Sequence, residues 1–250
     1  MKKGGQVTVF IIIAIIIVVI VVAFFTLFSS NRELSEKDGN LENPEKLLED
    51  CIEVEGLKSL AILGLRGGDI EQKKSINLGD NAISYLFYEN KKQLESLEEI
   101  RSDFEVFFLD NVNACIDNFS YFSDQGYEIK VLKFSPTISL SETVSFAVDY
   151  SLTKTKGDNS ILFEDNIDYV VPVNFSKYYK AADNIVWMRE ELGGTVDFFY
   201  LLEQDLNVTM SQEGDSLFFL LEDGASVLNE EIGYVYSFAI QVGGGNETLV

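Results

Sequence analysis

The sequence predicts an α+β domain that follows a single N-terminal transmembrane helix. Three observations lead to this prediction. Residues 7–28 form an apolar run without a charge, several later stretches repeat apolar residues every three or four positions, and others alternate apolar with polar residues. The second pattern is typical of amphipathic helices and the third of strands. We expect two or three helices packed on an antiparallel sheet. The predicted segments are a leader (1–5), a membrane helix (6–28), a linker (29–43), the α+β domain (44–242) and a tail (243–250).

The apolar run is long enough to cross a membrane. It has 22 residues, and a helix that rises about 1.5 Å per residue then covers a hydrocarbon core of roughly 30 Å. A buried helix of a soluble core rarely stays apolar on every face. Lys2 and Lys3 precede the run and no acid does. The positive-inside bias therefore predicts a cytoplasmic N-terminus and an extracellular domain after Phe28.

The residues at the start of this run resemble a known class of leader. Lys2 and Lys3, then Gly5-Gln6, then the apolar helix resemble the class III signal peptides of archaeal type IV pilins and archaellins. Thr8 matches the small hydroxyl residue that this family often has there. The resemblance implies that a prepilin peptidase cuts between Gly5 and Gln6 and that the helix stays in the mature protein. It also implies that the partners are the cell membrane and identical or related pilin-like subunits of a surface filament.

Phe10 departs from the family pattern. Many pilins carry at that place a glutamate that helps to dock one subunit against its neighbour. This difference favours one alternative, a non-assembling, single-pass module for binding or adhesion. A second alternative is a signal anchor that is never cleaved, in which Gly5-Gln6 occurs by chance.

The composition argues against several other functions. The net charge is −22, and beyond Phe28 it is −24, because 17 of the 19 basic residues then face all 41 acids. Such a chain repels phosphate backbones, so no nucleic-acid partner is expected. Histidine is absent, which removes the commonest general acid/base and metal ligand. We expect no enzyme, cofactor or metal site, although a membrane-anchored extracellular enzyme remains a third alternative.

Three stretches are predicted to be helices of the α+β domain. The first covers residues 44–65, with Asn43 as its N-cap, Pro44 at its first position and Gly67-Gly68 at its end. Its apolar face is predicted to contain the following residues: Leu47, Cys51, Val54, Leu57, Ala61 and Leu65. The second helix covers residues 96–118, where Ser96 and Glu99 form a capping-box pattern. The third covers residues 174–192. Residues 196–206 have an ambiguous pattern and are also assigned to a helix.

The remaining patterns predict strands that are rich in branched and aromatic residues. The predicted strands are residues 69–77, 83–88, 127–134, 143–153, 160–163, 168–173, 207–210, 216–221 and 234–242. Turns are expected around residues 78–81, 156–159, 213–215 and 222–224, because glycine, aspartate and asparagine cluster there.

Cys51 and Cys115 are the only cysteines. In an oxidising compartment an even number of cysteines favours a disulfide, which would join the first two predicted helices. The alternative is two separate buried thiols that pack as small hydrophobic side chains.

Four asparagines fit the N-x-[ST] pattern for glycosylation of exported proteins. They are Asn118, Asn174, Asn207 and Asn246. Since Asn174 begins a predicted helix, an N-cap is its more economical role.

Overall fold

The computed structural model describes residues 43–78, 81–191 and 205–242, together with Tyr200. In these ranges the chain is α+β, with three long helices and sheets that are mostly antiparallel, which confirms the predicted class in its coarse form. The helices are α1 (Pro44–Leu65), α2 (Leu97–Ile116), the short α3 (Ser120–Asp124) and α4 (Phe175–Glu191). The strands are β1 (Ser75–Leu78), β2 (Asn81–Tyr88), β3 (Lys91–Lys92), β4 (Glu128–Leu140), β5 (Val144–Lys156), β6 (Asn159–Val171), β7 (Asn207–Glu213), β8 (Ser216–Val227) and β9 (Gly233–Gln241).

The described strands form two sheets. One has the order β1-β2-β9-β8-β7, with β3 also paired to β2, and the other has the order β4-β5-β6. In the larger sheet β2 and β9 run parallel, whereas its other neighbouring strands are antiparallel. The β5–β6 connection is the two-residue turn Gly157-Asp158. Such a short connection joins antiparallel strands only, so the turn predicted at residues 156–159 is confirmed.

Packing within the chain falls into two compact units. The described part of the first comprises residues 43–56, Asp110–Ser135 and Val148–Ile167. The second comprises Leu57–Leu109, Pro136–Ala147 and residues 168–242.

Several predicted segments lie outside the described residues. They are the leader, the membrane helix, the linker up to residue 42, the tail and nearly all of the helix assigned to residues 196–206. None of the helices in the described ranges is long and apolar enough to span a membrane.

The predicted N-caps of the helices are confirmed. The Glu45 N–H donates to Asn43 Oδ1 at 3.1 Å at the start of α1. At the start of α2 the Glu99 N–H donates to Ser96 Oγ at 3.3 Å, and the Ser96 N–H donates to Glu99 Oε2 at 2.9 Å. These two bonds are the reciprocal pair of a capping box.

Helix α1 ends in a Schellman motif. The Gly68 N–H donates to Leu63 O at 2.9 Å, and the Gly67 N–H donates to Gly64 O at 3.0 Å. Gly67 has a φ of +62°, a left-handed conformation that glycine adopts without a steric penalty. The end predicted at Gly67-Gly68 is therefore correct.

Helix α1 also makes a close approach to β9 in the second unit. A Cβ added to Gly64 would lie 2.3 Å from Val235 O and 2.7 Å from the Tyr234 ring. Two hydrogen bonds fix the same contact, from Tyr236 Oη to Gly67 O at 2.6 Å and from Ser237 Oγ to Leu65 O at 2.7 Å. The absence of a side chain at Gly64 lets the helix backbone approach the strand this closely.

Aromatic side chains of β9 form the core beside this contact. The Tyr178 ring of α4 lies 5.2 Å from the Tyr234 ring and 5.9 Å from the Tyr236 ring, measured between centroids. Phe238 stacks on Phe219 of β8 at 5.0 Å. All five side chains are buried. Burial raises the pKa of Tyr178 to about 12, so its hydroxyl stays protonated at neutral pH.

The buried faces of the first two helices differ in how well they were predicted. The sequence predicts that helix α2 buries Leu97, Ile100, Phe104, Phe107 or Phe108, and Cys115. The helix buries a residue at every fourth position, namely Ile100, Phe104, Phe108, Val112 and Ile116. The first three match the prediction, whereas Leu97 and Cys115 are only half-buried. Helix α1 buries Leu48, Ile52, Leu60 and Leu63 besides Cys51 and Ala61, whereas the predicted Leu47, Val54, Leu57 and Leu65 are only half-buried. The α1 face was predicted wrongly because apolar residues occur on several sides of this helix.

Several strand predictions were also wrong in detail. Most of the strand predicted over residues 69–77 is absent, because β1 covers only Ser75–Leu78. The turn expected at residues 222–224 is absent too, because β8 continues to Val227 with a shift of register against β9 after Glu222. Separate strands were predicted over residues 160–163 and 168–173, but β6 runs without a break through residues 164–167. Most side chains of residues 164–167 are exposed, so their polarity is compatible with a strand.

Replacing Gly64 with alanine tests the helix–strand contact. In an open helix Gly→Ala is favourable by up to about 1 kcal/mol, but here the added Cβ meets backbone and an aromatic ring. We expect Gly64→Ala to lower the free energy of unfolding by about 1–3 kcal/mol, measured by denaturant unfolding under oxidising conditions. Gly233→Ala is the matched control, because a Cβ there has no heavy atom within 4 Å. Equal or greater stability of Gly64→Ala would contradict this account.

Candidate functional site

A polar pocket of about 600 Å³ lies in the second unit where β8 departs from regular pairing. Its polar lining residues are Asp205, Asn207, Glu222, Asp223, Ser226 and Tyr234. Strand β8 pairs Glu222 with Val235, and regular pairing resumes at Val227 with Gly233. The intervening residues 223–226 form an irregular segment, which we call the β8 bulge. Bulges often lie next to functional sites because they redirect side chains.

The β8 bulge is held to the start of helix α4. The Asn174 N–H donates to Ser226 Oγ at 3.1 Å, and the Val227 N–H donates to Pro172 O at 3.1 Å. Lys177 Nζ lies 3.3 Å from Asp223 Oδ2. These contacts join the bulge to the segment that leads into α4.

Asp223 is the central charged group of the pocket. Its side chain is only 13% exposed, and it accepts hydrogen bonds from the Ala225 N–H at 3.2 Å and from Ser226 Oγ at 3.3 Å. Burial alone would raise the pKa of Asp223. The hydrogen bonds and the positive charge of Lys177 outweigh burial and hold that pKa below its usual range. Asp223 is thus stabilised as a carboxylate, the opposite of what a general acid needs.

Three other polar lining residues are also paired, whereas the buried Tyr234 hydroxyl has no hydrogen-bond partner within the described part of the chain. Asn207 Nδ2 donates to Glu222 Oε2 at 3.3 Å, and Lys177 Nζ lies 3.5 Å from Asp205 Oδ2. Over the described ranges, no group of three or more acidic or cysteine side chains is placed to hold a metal ion. Because most of its polar groups pair internally, the pocket is best explained as a structural junction between β8 and α4.

The predicted site residues lie far apart in the chain. Gly5, Gln6 and Asn246 are outside the described residues. Cys51 and Cys115, both in the first unit, are joined by a disulfide with a Cα–Cα distance of 5.8 Å. It closes a loop of 64 residues, for which chain entropy gives a stabilisation of about 4 kcal/mol.

The three described asparagines of the N-x-[ST] pattern have different surroundings. Asn118 is exposed and has a φ of +51° in the turn after α2. Asn174 is half-buried, and its Oδ1 accepts hydrogen bonds from the Lys177 N–H at 3.1 Å and from Ser176 Oγ at 3.0 Å. It is the N-cap of α4, as predicted. Asn207 is exposed at the start of β7, where it donates to Glu222.

The sequence did not indicate that Asp223 and Lys177 form an ion pair at the β8 bulge. The Asp223-Gly224 pair is a turn signal, and it concealed the continuation of β8 through the bulge. Lys177 is 46 positions away from Asp223, and no local pattern connects the two. The N-cap pattern at Asn174 was the sequence signal that pointed to the start of α4.

No protein-family model and no curated protein matches the sequence, and no solved structure matches the fold. The proposed function therefore depends on the residues of this chain alone.

Substitution of Asp223 tests the charged junction through its pH dependence. A carboxylate whose pKa is lowered by folding stabilises the folded state above the ordinary aspartate pKa of about 3.9, and this contribution is lost as the pH falls through the folded pKa. We expect Asp223→Asn to lower the free energy of unfolding at pH 7 by about 1 kcal/mol. We also expect its stability to decline less steeply than that of the wild type below pH ~5.

The matched control is Asp205→Asn, which also lies near Lys177 but has a fully exposed side chain. Asp205→Asn should leave the unfolding midpoint unchanged both at pH 7 and below pH ~5. Identical pH profiles for the wild type and Asp223→Asn would contradict the assignment of Asp223 as an ion-paired structural carboxylate.

Proposed function

We propose that this chain is a membrane-anchored cell-surface protein that acts as a type IV pilin-like subunit, with a structural or adhesive role. The observation that carries the proposal is the N-terminal order of Lys2-Lys3, Gly5-Gln6 and an uncharged apolar run of 22 residues. An apolar helix of this kind serves in a bilayer and in a filament core alike, since lipid-facing side chains become contacts between helices. The α+β domain of two or three helices packed on an antiparallel sheet is placed outside the cell.

The disulfide between Cys51 and Cys115 supports an extracellular location, because disulfides persist mainly in oxidising compartments outside the cytoplasm. The net charge of −22 keeps the domain away from an anionic membrane surface. In this proposal the chain crosses the membrane once, and its partners are a prepilin peptidase and other pilin-like subunits.

The second candidate is an anchored module for binding or adhesion that does not assemble. Phe10 favours it, because the glutamate that pilins use for docking is missing there. In both proposals the domain is displayed on a membrane helix. They differ in the cleavage of the leader and in polymerisation.

The mature N-terminus decides between these proposals. We expect the protein isolated from its native membrane or filament to begin at Gln6, as measured by intact mass and N-terminal sequencing. Mechanical shearing of cells, followed by sedimentation of the released material, should recover the protein with the filaments. Gly5→Val places a branched side chain at the proposed cleavage site and should block processing, whereas the matched control Gly4→Ala should not.

A wild-type chain that begins at Met1 or Lys2 and stays wholly with the membrane would contradict the pilin-like proposal. The anchored module would then be the better account.

Export of the domain also leads to a prediction of which N-x-[ST] asparagine carries a glycan. An acceptor asparagine must present its side-chain amide to an enzyme, and attached glycans are bulky and lie on the surface. In the described part of the chain the structure shows no hydrogen-bond partner for the exposed Asn118 side chain, whereas Asn174 is held by its capping bonds. We expect glycopeptide mass spectrometry of the native protein to find a glycan at Asn118 and none at Asn174.

Ser120→Ala removes the acceptor pattern while leaving Asn118 in place, and it should abolish the modification. Ser120→Thr keeps the pattern and should preserve it. A glycan at Asn174 with none at Asn118 would overturn this choice.

A further inference from the structure

The three-stranded sheet has open edges in the first unit. Strands β4 and β6 are its outer strands, and their segments 128–135 and 159–167 belong to this unit. No described strand pairs with the outer side of either one. Most residues of both segments are exposed. Long exposed edges of this kind are templates for pairing with another chain.

The edge of β4 is open in one half and closed in the other. Its Ile138 N–H donates to Glu105 Oε1 at 3.0 Å, and Pro136 has no N–H to donate. N–H groups at alternate positions of a strand point the same way. Lys130, Leu132 and Phe134 therefore direct their N–H groups outward, and only this half of the edge can add a strand.

The edge of β6 is open over a similar length. The Asn166 N–H donates to Asp165 Oδ1 at 2.8 Å, so it points away from the neighbouring strand. By the same alternation Ser160, Leu162 and Glu164 direct their N–H groups outward. The two open edges thus offer backbone donors over comparable lengths.

Each open edge also carries exposed apolar side chains. On β4 these are Val131 and Leu132, which are 40% and 54% exposed, and on β6 they are Ile161 and Leu162, each 57% exposed. Successive residues of a strand face opposite sides of the sheet. A strand added at either edge would therefore cover apolar surface on both faces.

The charges of the two edges are complementary. Segment 128–135 has Lys130 and Lys133 against one acid, Glu128, a net charge of +1. Segment 159–167 has Glu164 and Asp165 and no basic residue, a net charge of −2. Pairing β6 with a second β6 would bring four carboxylates together, whereas pairing β6 with β4 brings lysines to acids. Opposite charges across paired strands are favourable and like charges are not.

We propose that β6 of one copy of this chain pairs with β4 of a second copy. This contact joins two different surfaces, so each pair leaves one free β4 edge and one free β6 edge, and the association is open-ended. The inference deepens the proposed function, because it supplies a contact between the domains of neighbouring subunits. The contact itself does not require the N-terminal helix.

Zero-length cross-linking tests the proposed contact directly. The full-length chain is purified in detergent as equal parts of ¹⁴N- and ¹⁵N-labelled protein and treated with a carbodiimide, which joins lysines to carboxylates in contact. We expect mixed-isotope peptides that join Lys130 or Lys133 to Glu164 or Asp165. Cross-links within one chain only, or links between copies that omit these strands, would overturn the proposal.

Charge reversal tests whether the edges determine the association, with sedimentation velocity as the measurement. Lys130→Glu should weaken association on the order of fivefold, and adding Glu164→Lys in the same chain should restore it. Lys180→Glu, at an exposed position of α4, is the matched control and should leave association unchanged. Leu162→Pro removes an outward N–H at an edge position and should also weaken association.

Each variant is accepted only with an unchanged far-UV circular dichroism spectrum and an intact disulfide. Failure of the double variant to recover, or equal weakening by Lys180→Glu, would contradict pairing of β6 with β4. The two proposals fail in different ways. A chain processed at Gln6 but monomeric removes the edge contact alone, whereas an unprocessed chain that associates removes the pilin-like role alone.

Discussion

The contact between α1 and β9 is a close backbone approach that constrains the second unit. A helix usually rests on a strand through its side chains, but at Gly64 the two backbones meet, because even one Cβ would lie 2.3 Å from Val235 O. The hydrogen bond from Tyr236 Oη to Gly67 O then holds the C-terminal end of the helix against the strand. With β9 placed in this way, its aromatic side chains face Tyr178 of α4, so α4 is positioned by the same strand.

The parts of this fold that sequence could predict are those with local causes. Helices begin at Asn43, Ser96 and Asn174 because these side chains accept backbone hydrogen bonds from within three residues. Such caps can be predicted from a short stretch of sequence. The Gly157-Asp158 turn is similarly local. This part of the buried face of α2 could be predicted because Ile100, Phe104 and Phe108 share one side of the helix.

The parts that sequence could not predict depend on distant residues. Helix α1 has apolar side chains on several sides, and the Gly64 contact with β9 selects the side that is buried. The bulge at Asp223 exists because β8 continues past a turn signal and is held by Lys177 and Asn174. At the candidate site, the N-x-[ST] pattern predicted Asn174 and Asn207 as possible glycan acceptors. Their structural roles as a helix cap and as a partner of Glu222 depend on the folded chain.

The acidity of the chain bears on both stability and association. Most ion pairs in the described part of the chain join partly exposed side chains, as in Lys46–Asp50 and Lys133–Asp149, and such pairs contribute about 0–1 kcal/mol each. The net charge of −22 adds repulsion between like charges, whereas the buried core and the Cys51–Cys115 loop closure stabilise the fold without ion pairs. The same repulsion acts between two copies of the chain. Contact between copies is therefore most favourable where the charge is locally reversed, and the β4 segment with Lys130 and Lys133 is such a place.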